Sequence, residues 1–346
     1  MSAPGRSSER CGTPVCSFRL PGTRPPADIS SGEKEMPDQE PGWAELGRYG
    51  TFNLVVVGIQ VVAWTALITL ADSPGLPLWA RVGSVVMFCL MMQGVFTLVH
   101  EYCHRNAHRD PRLNYLIGFV TCTLFGTAPT LLRVEHWGHH RRNRTESERP
   151  ELIHPDESAL QKRIQYYFAV LGGIWLASAV GPLIAPCVPY ESAQCLARRS
   201  PRNTFVAGLG AFKRSDWRAL RLEGLWLFAF WGSVVAFGPW RWQTLAICYL
   251  AFAFSWSSLQ WIYHLYTPLH VVEGAYNVRV PWLLRMLFLN FNYNLTHHRH
   301  PAMPWQELHR RSNVRETQPI WYRYLLIFRP PIAFPKDVSV LEKRYF

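Results

Sequence analysis

No Cys-x-x-Cys pair occurs anywhere in the chain, and the eight cysteines (11, 16, 89, 103, 122, 187, 195 and 248) keep no common spacing. That argues against a thiolate zinc site or a disulfide framework and fits a reducing or membrane-buried setting. Charge is scarce as well. Only 17% of residues are charged, and 24 acids face 36 lysines and arginines, for a formal charge of +12. Solenoid-type repeats are absent. The first 42 residues or so lack the apolar core of a cleavable signal and are rich in Pro, Gly, Ser and charge, the composition of a disordered tail. Apolar residues make up 49% of the chain, yet they are not dealt out as amphipathic stripes; they come in long runs.

Residues 52–71 form twenty positions without a charge, about the length that crosses a bilayer core. A second run, 82–99, follows the turn Asp72-Ser73-Pro74-Gly75, and two more, 222–239 and 243–263, are joined by a tight turn through Trp240 and Arg241. The runs 113–132 and 166–188 are interrupted, the first by Gly118, Gly126 and Pro129, the second by Gly172, Gly173, Gly181, Pro182 and Pro186. The aromatic and basic stretch 320–329 is too short and too charged to cross and reads as interfacial.

Histidines gather where these runs end. His136, His139 and His140 are spaced H-x-x-H-H, positions that share one face of a helix. Asn294-Leu295-Thr296-His297-His298 repeats the pattern with one substitution, and His100 and His104 precede both as H-x-x-x-H. These three clusters hold seven of the 13 histidines. With His264, at the end of the last run, they offer eight imidazoles, more than one ion takes, so two transition-metal ions are the natural inference. Glu101 and Glu135 adjoin candidate ligands, where a carboxylate can accept a hydrogen bond from the far ring nitrogen; balancing nearby arginines is the plainer role.

If the clusters share one site, an even number of crossings separates each from the next. That leaves two transmembrane hairpins, 52–99 and 222–263, while 113–132 and 166–188 lie along the interface or dip in and return. Arginines and lysines concentrate on the histidine side, from Arg105 to Arg149 and from Arg198 to Arg214, which places that side in the cytoplasm. The expectation is an all-α, multi-pass integral membrane protein with two helical hairpins, interfacial helices and a cytoplasmic cap. It divides into a tail (1–42), one membrane domain (43–330) and a C-terminal tail (331–346).

The order H-x-x-x-H, H-x-x-H-H and x-x-x-H-H, with paired spans before the first and third boxes, resembles the membrane fatty acid desaturase superfamily, which includes hydroxylases and carotenoid ketolases. The likeness covers roughly residues 50–310. It implies two non-haem iron ions, dioxygen as co-substrate, a lipid substrate and a separate ferredoxin- or cytochrome-type electron donor. It carries His100, His104, His136, His139, His140, His297 and His298 over as iron ligands, His264 as a further one, and Gln260 as a residue that holds water near the metal. Asn294 departs from the pattern, standing where such proteins generally have His or Gln; it binds weakly, through water or not at all, and His108 could supply the missing imidazole. His300 reads as solvated.

Fatty acyl desaturation is the leading expectation, ahead of hydroxylation or ketolation of a carotenoid or other lipid. Two remoter readings differ in class. His100-Glu101-Tyr102-Cys103-His104 also spells H-E-x-x-H, the zinc peptidase motif, but leaves two clusters unexplained. A metal transporter would place its site near mid-membrane, whereas these histidines sit at span ends. Nothing points to nucleic acid.

Overall fold

The computed structural model describes residues 49–334, all within one compact unit. The tail expected over 1–42 and most of that over 331–346 lie outside the described residues.

Among the described residues, five helical stretches are long and apolar enough to cross a membrane: Tyr49–Asp72, Leu78–Cys103, Ala159–Cys187, Arg214–Phe237 and Trp242–His264. Helix α1 (Tyr49–Asp72) and α2 (Leu78–Cys103) form one hairpin, α8 (Arg214–Phe237) and α9 (Trp242–His264) another. Their turns are tied together far from the histidines. Asp72 accepts hydrogen bonds from Arg241 Nε (2.8 Å) and Thr244, and Trp240 Nε1 donates to Thr69 Oγ1. Aromatic side chains fill the space between hairpins: Phe88 meets Tyr249 and Phe252, and Phe96 meets Trp256.

The two interrupted runs dip in and return. Helix α3 (Pro111–Phe125) starts from an Asp110 cap and stops at Gly126, whose φ of 87° suits a residue without Cβ. Helix α4 (Pro129–Arg142) then departs at 96°. The bend is deep, because Leu124 O takes the hydroxyl proton of Tyr249, near the far end of α9, while the last turns of α4 carry the second histidine cluster. Helices α5 (Ala159–Phe168) and α6 (Ile174–Ile184) behave likewise. Gly172 (φ 135°) breaks the stretch against Ala253, mid-way along α9. Trp175 Nε1 donates to Phe125 O at the same depth. Further on, Pro186 O accepts from Arg221 and Val188 O from Trp217, both near the start of α8. Arg202 closes the loop by pairing with Glu146 and Asp156, which precede α5. So 159–187, long enough to cross, has both ends on the histidine side.

The cap adds α7 (Tyr190–Arg199), α10 (Trp282–Leu287), α11 (Asn294–Arg299), α12 (Trp305–Arg311) and α13 (Ile320–Leu326). It also holds two small parallel pairings: β1 (Leu152–Ile153) with β4 (Ile332–Ala333), and β2 (Asn277–Arg279) with β3 (Thr317–Pro319). Backbone pairing therefore continues through Phe334, past the expected boundary at 330. In α13 the aromatic residues Trp321 and Tyr322 are exposed, as an interfacial helix requires, but Arg323 is buried. It donates to the carbonyls of Ile262 and Leu265 at the end of α9 and lies over the Tyr276 ring. Burial lowers its pKa to about 10.

Two hydrophobic clusters result. The larger joins α1, α2, α3 and α9; the smaller joins α4, the end of α6, α7 and α8. The three long helices that bear histidines stop just beyond them, each at a left-handed residue: Arg105 (φ 62°), Arg144 (φ 65°) and Tyr266 (φ 55°). Such a conformation costs a non-glycine residue roughly 1–3 kcal/mol and persists only where contacts enforce it. Glu151 enforces two of the three, pairing with the buried Arg144 (2.5 Å) and accepting the Tyr266 N–H (3.1 Å).

Candidate metal centre

The helix ends bring eight imidazoles together in two adjacent groups. His100, His104, His136, His140 and His297 form the first, and His139, His264 and His298 the second; within each, the ligand nitrogens lie within 4.8 Å of one another. In the first group the Nε2 atoms converge, with separations of 2.6 Å (His104 to His136), 3.1 Å (His136 to His140) and 2.9 Å (His140 to His297 and His297 to His100). The second is a near-regular triangle, with ring centroids 4.8, 5.1 and 5.2 Å apart. Contact between the groups runs through His140 and His298, 4.6 Å apart.

The three histidines of H-x-x-H-H therefore do not enter one group, despite their shared helical face. His136 and His140, one turn apart, enter the first group; His139, about 100° around the helix from His140, enters the second. The neighbours His297 and His298 on α11 divide in the same way.

The second group is oriented from behind. His139 Nδ1 donates to Glu148 Oε2 at 2.5 Å, and His264 Nδ1 to Gly274 O at 2.9 Å, so both rings present Nε2 to the centre. Gly274 O also accepts from Asn143 Nδ2 and Thr267 Oγ1. A Cβ at 274 would lie 2.3 Å from Arg144 Cγ, so the close approach requires glycine. Sequence reasoning did not find Glu148; its short helical turn, eight residues past the box, gives no periodic signal.

The other expected residues are spread around this core. Glu101 is buried, 3.9 Å from His100 Nδ1, and takes the Trp305 backbone N–H. Glu135 faces Arg142 (3.3 Å) and the space left by Gly208 rather than a ligand ring. His108 packs on Gly50, accepts the Asp110 N–H and belongs to neither group. His300 caps α11, also outside both. Asn294 and Gln260 lie one turn before His298 and His264, and each has a buried side-chain atom without a hydrogen-bond partner, Oδ1 of Asn294 and Nε2 of Gln260. The first group also has an unpartnered buried atom beside it, Glu101 Oε2.

These residues fit a pair of transition-metal ions. All eight donors are imidazoles, a ligand for iron, copper, zinc and nickel. Burial and the neighbouring rings hold His297 and His298 well below the usual imidazole pKa and His104 at about 3, so these three stay neutral with a lone pair to give.

His100, His136 and His139 open onto a cavity of about 590 Å³ that runs along α6 between the two hydrophobic clusters. Leu131, Leu132, Phe96 and Trp256 form its apolar wall, with Gln260 beside the histidines. This is within the size range of small-molecule sites.

Comparison with known proteins agrees with the boxes. A model of the family described as fatty acid desaturase matches residues 77–330. A "Fatty acid desaturase" of Bacillus subtilis (strain 168) is 23% identical over 226 residues, covering 61% of this chain and 61% of that protein's length.

Proposed function

The chain belongs to the fatty acid desaturase family, and from that premise we propose that it is a membrane-bound, oxygen-dependent oxidoreductase that introduces a double bond into an acyl chain. The observation that carries the reading is the meeting of two all-imidazole groups with an apolar cavity at one end of a membrane bundle. Two iron ions, bound by the five- and three-histidine groups, would supply redox activation of dioxygen toward an unactivated C–H bond, chemistry that zinc lacks. Overall, two hydrogens leave adjacent methylenes, a separate ferredoxin- or cytochrome-type donor gives two electrons, two protons are taken up, and dioxygen ends as two waters.

The chain's own residues bind, orient and exclude water. The cavity wall of Leu131, Leu132 and Trp256 holds the methylenes beside His100 and His136. Glu148 and Gly274 keep His139 and His264 turned inward. Asn294 and Gln260 are suited to hold a water or complete the coordination of the three-histidine group. The basic residues that crowd the histidine end, among them Arg105, Arg141 and Arg198, support a cytoplasmic orientation.

The peptidase reading loses support because Glu101, its general base, takes the Trp305 N–H, while its two histidines share a group with three others. Transport loses support because the histidines lie at helix ends. Expression in a lipid-producing host, with and without His297→Ala, tests the proposal by mass spectrometry of acyl chains and pigments. Desaturation gives products two mass units lighter that vanish in the variant; products sixteen or fourteen units heavier would replace it with hydroxylation or ketone formation.

A further inference from the structure

The cavity has an exposed rim on α6 and α7. Four of its lining residues are also exposed: Val180 (41%) and Ile184 (54%) on α6, and Ser192 and Leu196 (47%) on α7. Three of the four are apolar. The charged lining residues Glu135, Arg142 and Glu148 lie inside, paired with one another. Helix α6 belongs to the stretch that enters the membrane and returns, and α7 to the cap, so the opening lies where that stretch returns to the interface. It also follows the seam between the two hydrophobic clusters, where packing is interrupted.

Helix α7 adds a second feature. Ser192, Leu196 and Arg199 are spaced i, i+4, i+7 and share one face; Ser192 and Leu196 line the cavity, and Arg199 extends that face beyond it, exposed and beside Arg198. A basic last turn beyond an apolar rim matches a lipid whose chain enters the rim while its phosphate remains at the interface.

We propose that the cavity is loaded sideways from the bilayer through a portal between α6 and α7, and that its occupant is an acyl chain still esterified in an anionic phospholipid, with the phosphate against Arg199. This builds on the lipid-oxidising reading above and names the form in which the chain arrives. A soluble acyl thioester would instead meet a rim made mostly of exposed Val, Ile and Leu.

The test uses the full-length chain in vesicles of phosphatidylglycerol bearing a diazirine on one acyl chain. After irradiation, adducts are mapped by peptide mass spectrometry. Adducts are expected on Leu131, Leu132 or Trp256 inside the cavity, and their loss in Leu196→Trp and in Ile184→Trp, two exposed positions where a larger ring narrows the rim without disturbing the core. Arg199→Glu is expected to weaken labelling by phosphatidylglycerol about fivefold and to leave labelling by phosphatidylcholine unchanged. Adducts confined to the outer faces of α1 and α8 would overturn the proposal. So would cavity labelling that survives both tryptophan variants, or a diazirine acyl thioester that labels the cavity and is not displaced by phosphatidylglycerol. Labelling reports entry, not oxidation. Cavity adducts without any oxidised lipid would refute the desaturase reading and leave the portal standing.

Discussion

The two histidine groups differ in how they are held. The five-histidine group is oriented mostly by its own crowding: its Nε2 atoms meet at one point, and the rings of His100, His104 and His136 pack on one another. The three-histidine group is oriented from outside, by Glu148 behind His139 and by the knot of Asn143, Thr267 and Gly274 behind His264. A site with many ligands tolerates loose individual rings. One with three depends on each ring's supporting contact, and spare polar atoms, Asn294 and Gln260, lie near that site.

The sharpest way to break this comparison is to remove adjacent histidines that belong to different groups. His298→Ala leaves two imidazoles in its group and is expected to reduce bound metal from two ions per chain to one. His297→Ala leaves four in the other and is expected to retain more metal, although acyl oxidation falls to background in both. Elemental analysis of purified protein decides this, and equal metal loss in the two variants would refute the division.

Next in size is Arg144→Ala. It leaves the buried Glu151 carboxylate unpaired and releases the loop after His264, which should cost about 3–5 kcal/mol in thermal or denaturant unfolding and reduce metal only in the three-histidine group. Glu148→Ala is expected to weaken metal binding by about 10–100-fold at that group alone, with Glu148→Gln intermediate because an amide oxygen can still accept from His139. Competitive chelation, which resolves tight from weak sites, measures both. The smallest effect is expected from Trp137→Phe. It removes the Nε1 bond to Cys103 O that pins α4 to the end of α2, at a cost of about 1 kcal/mol and no change in metal stoichiometry.

The spans, the returning stretches and the candidate ligands were legible because each rests on local periodicity. Uncharged runs gave α1, α2, α8 and α9, and the glycines and prolines of 113–132 and 166–188 marked the two stretches that enter and turn back. All eight histidines of the two groups were read from spacing, span ends and family likeness. Their division between groups was not read, although the angle between His139 and His140 on a helix contains it. Glu148, Glu151 and Gly274 were not legible, because their roles depend on how non-periodic loops fold back over distances of 9 to 115 residues. Arg323 reads as a surface anchor in sequence and is buried in the fold, since no local pattern tells that the carbonyls ending α9 need a donor.

The left-handed stops after α2, α4 and α9 carry one more consequence. Because each helix halts just past its histidines, three helix C-termini surround the centre, and the aligned peptide dipoles place roughly half a negative charge at each such end. Imidazole ligands would offset none of the charge of a divalent pair. The main chain would do part of that work, so that a dication could sit in a greasy interior without an acidic ligand.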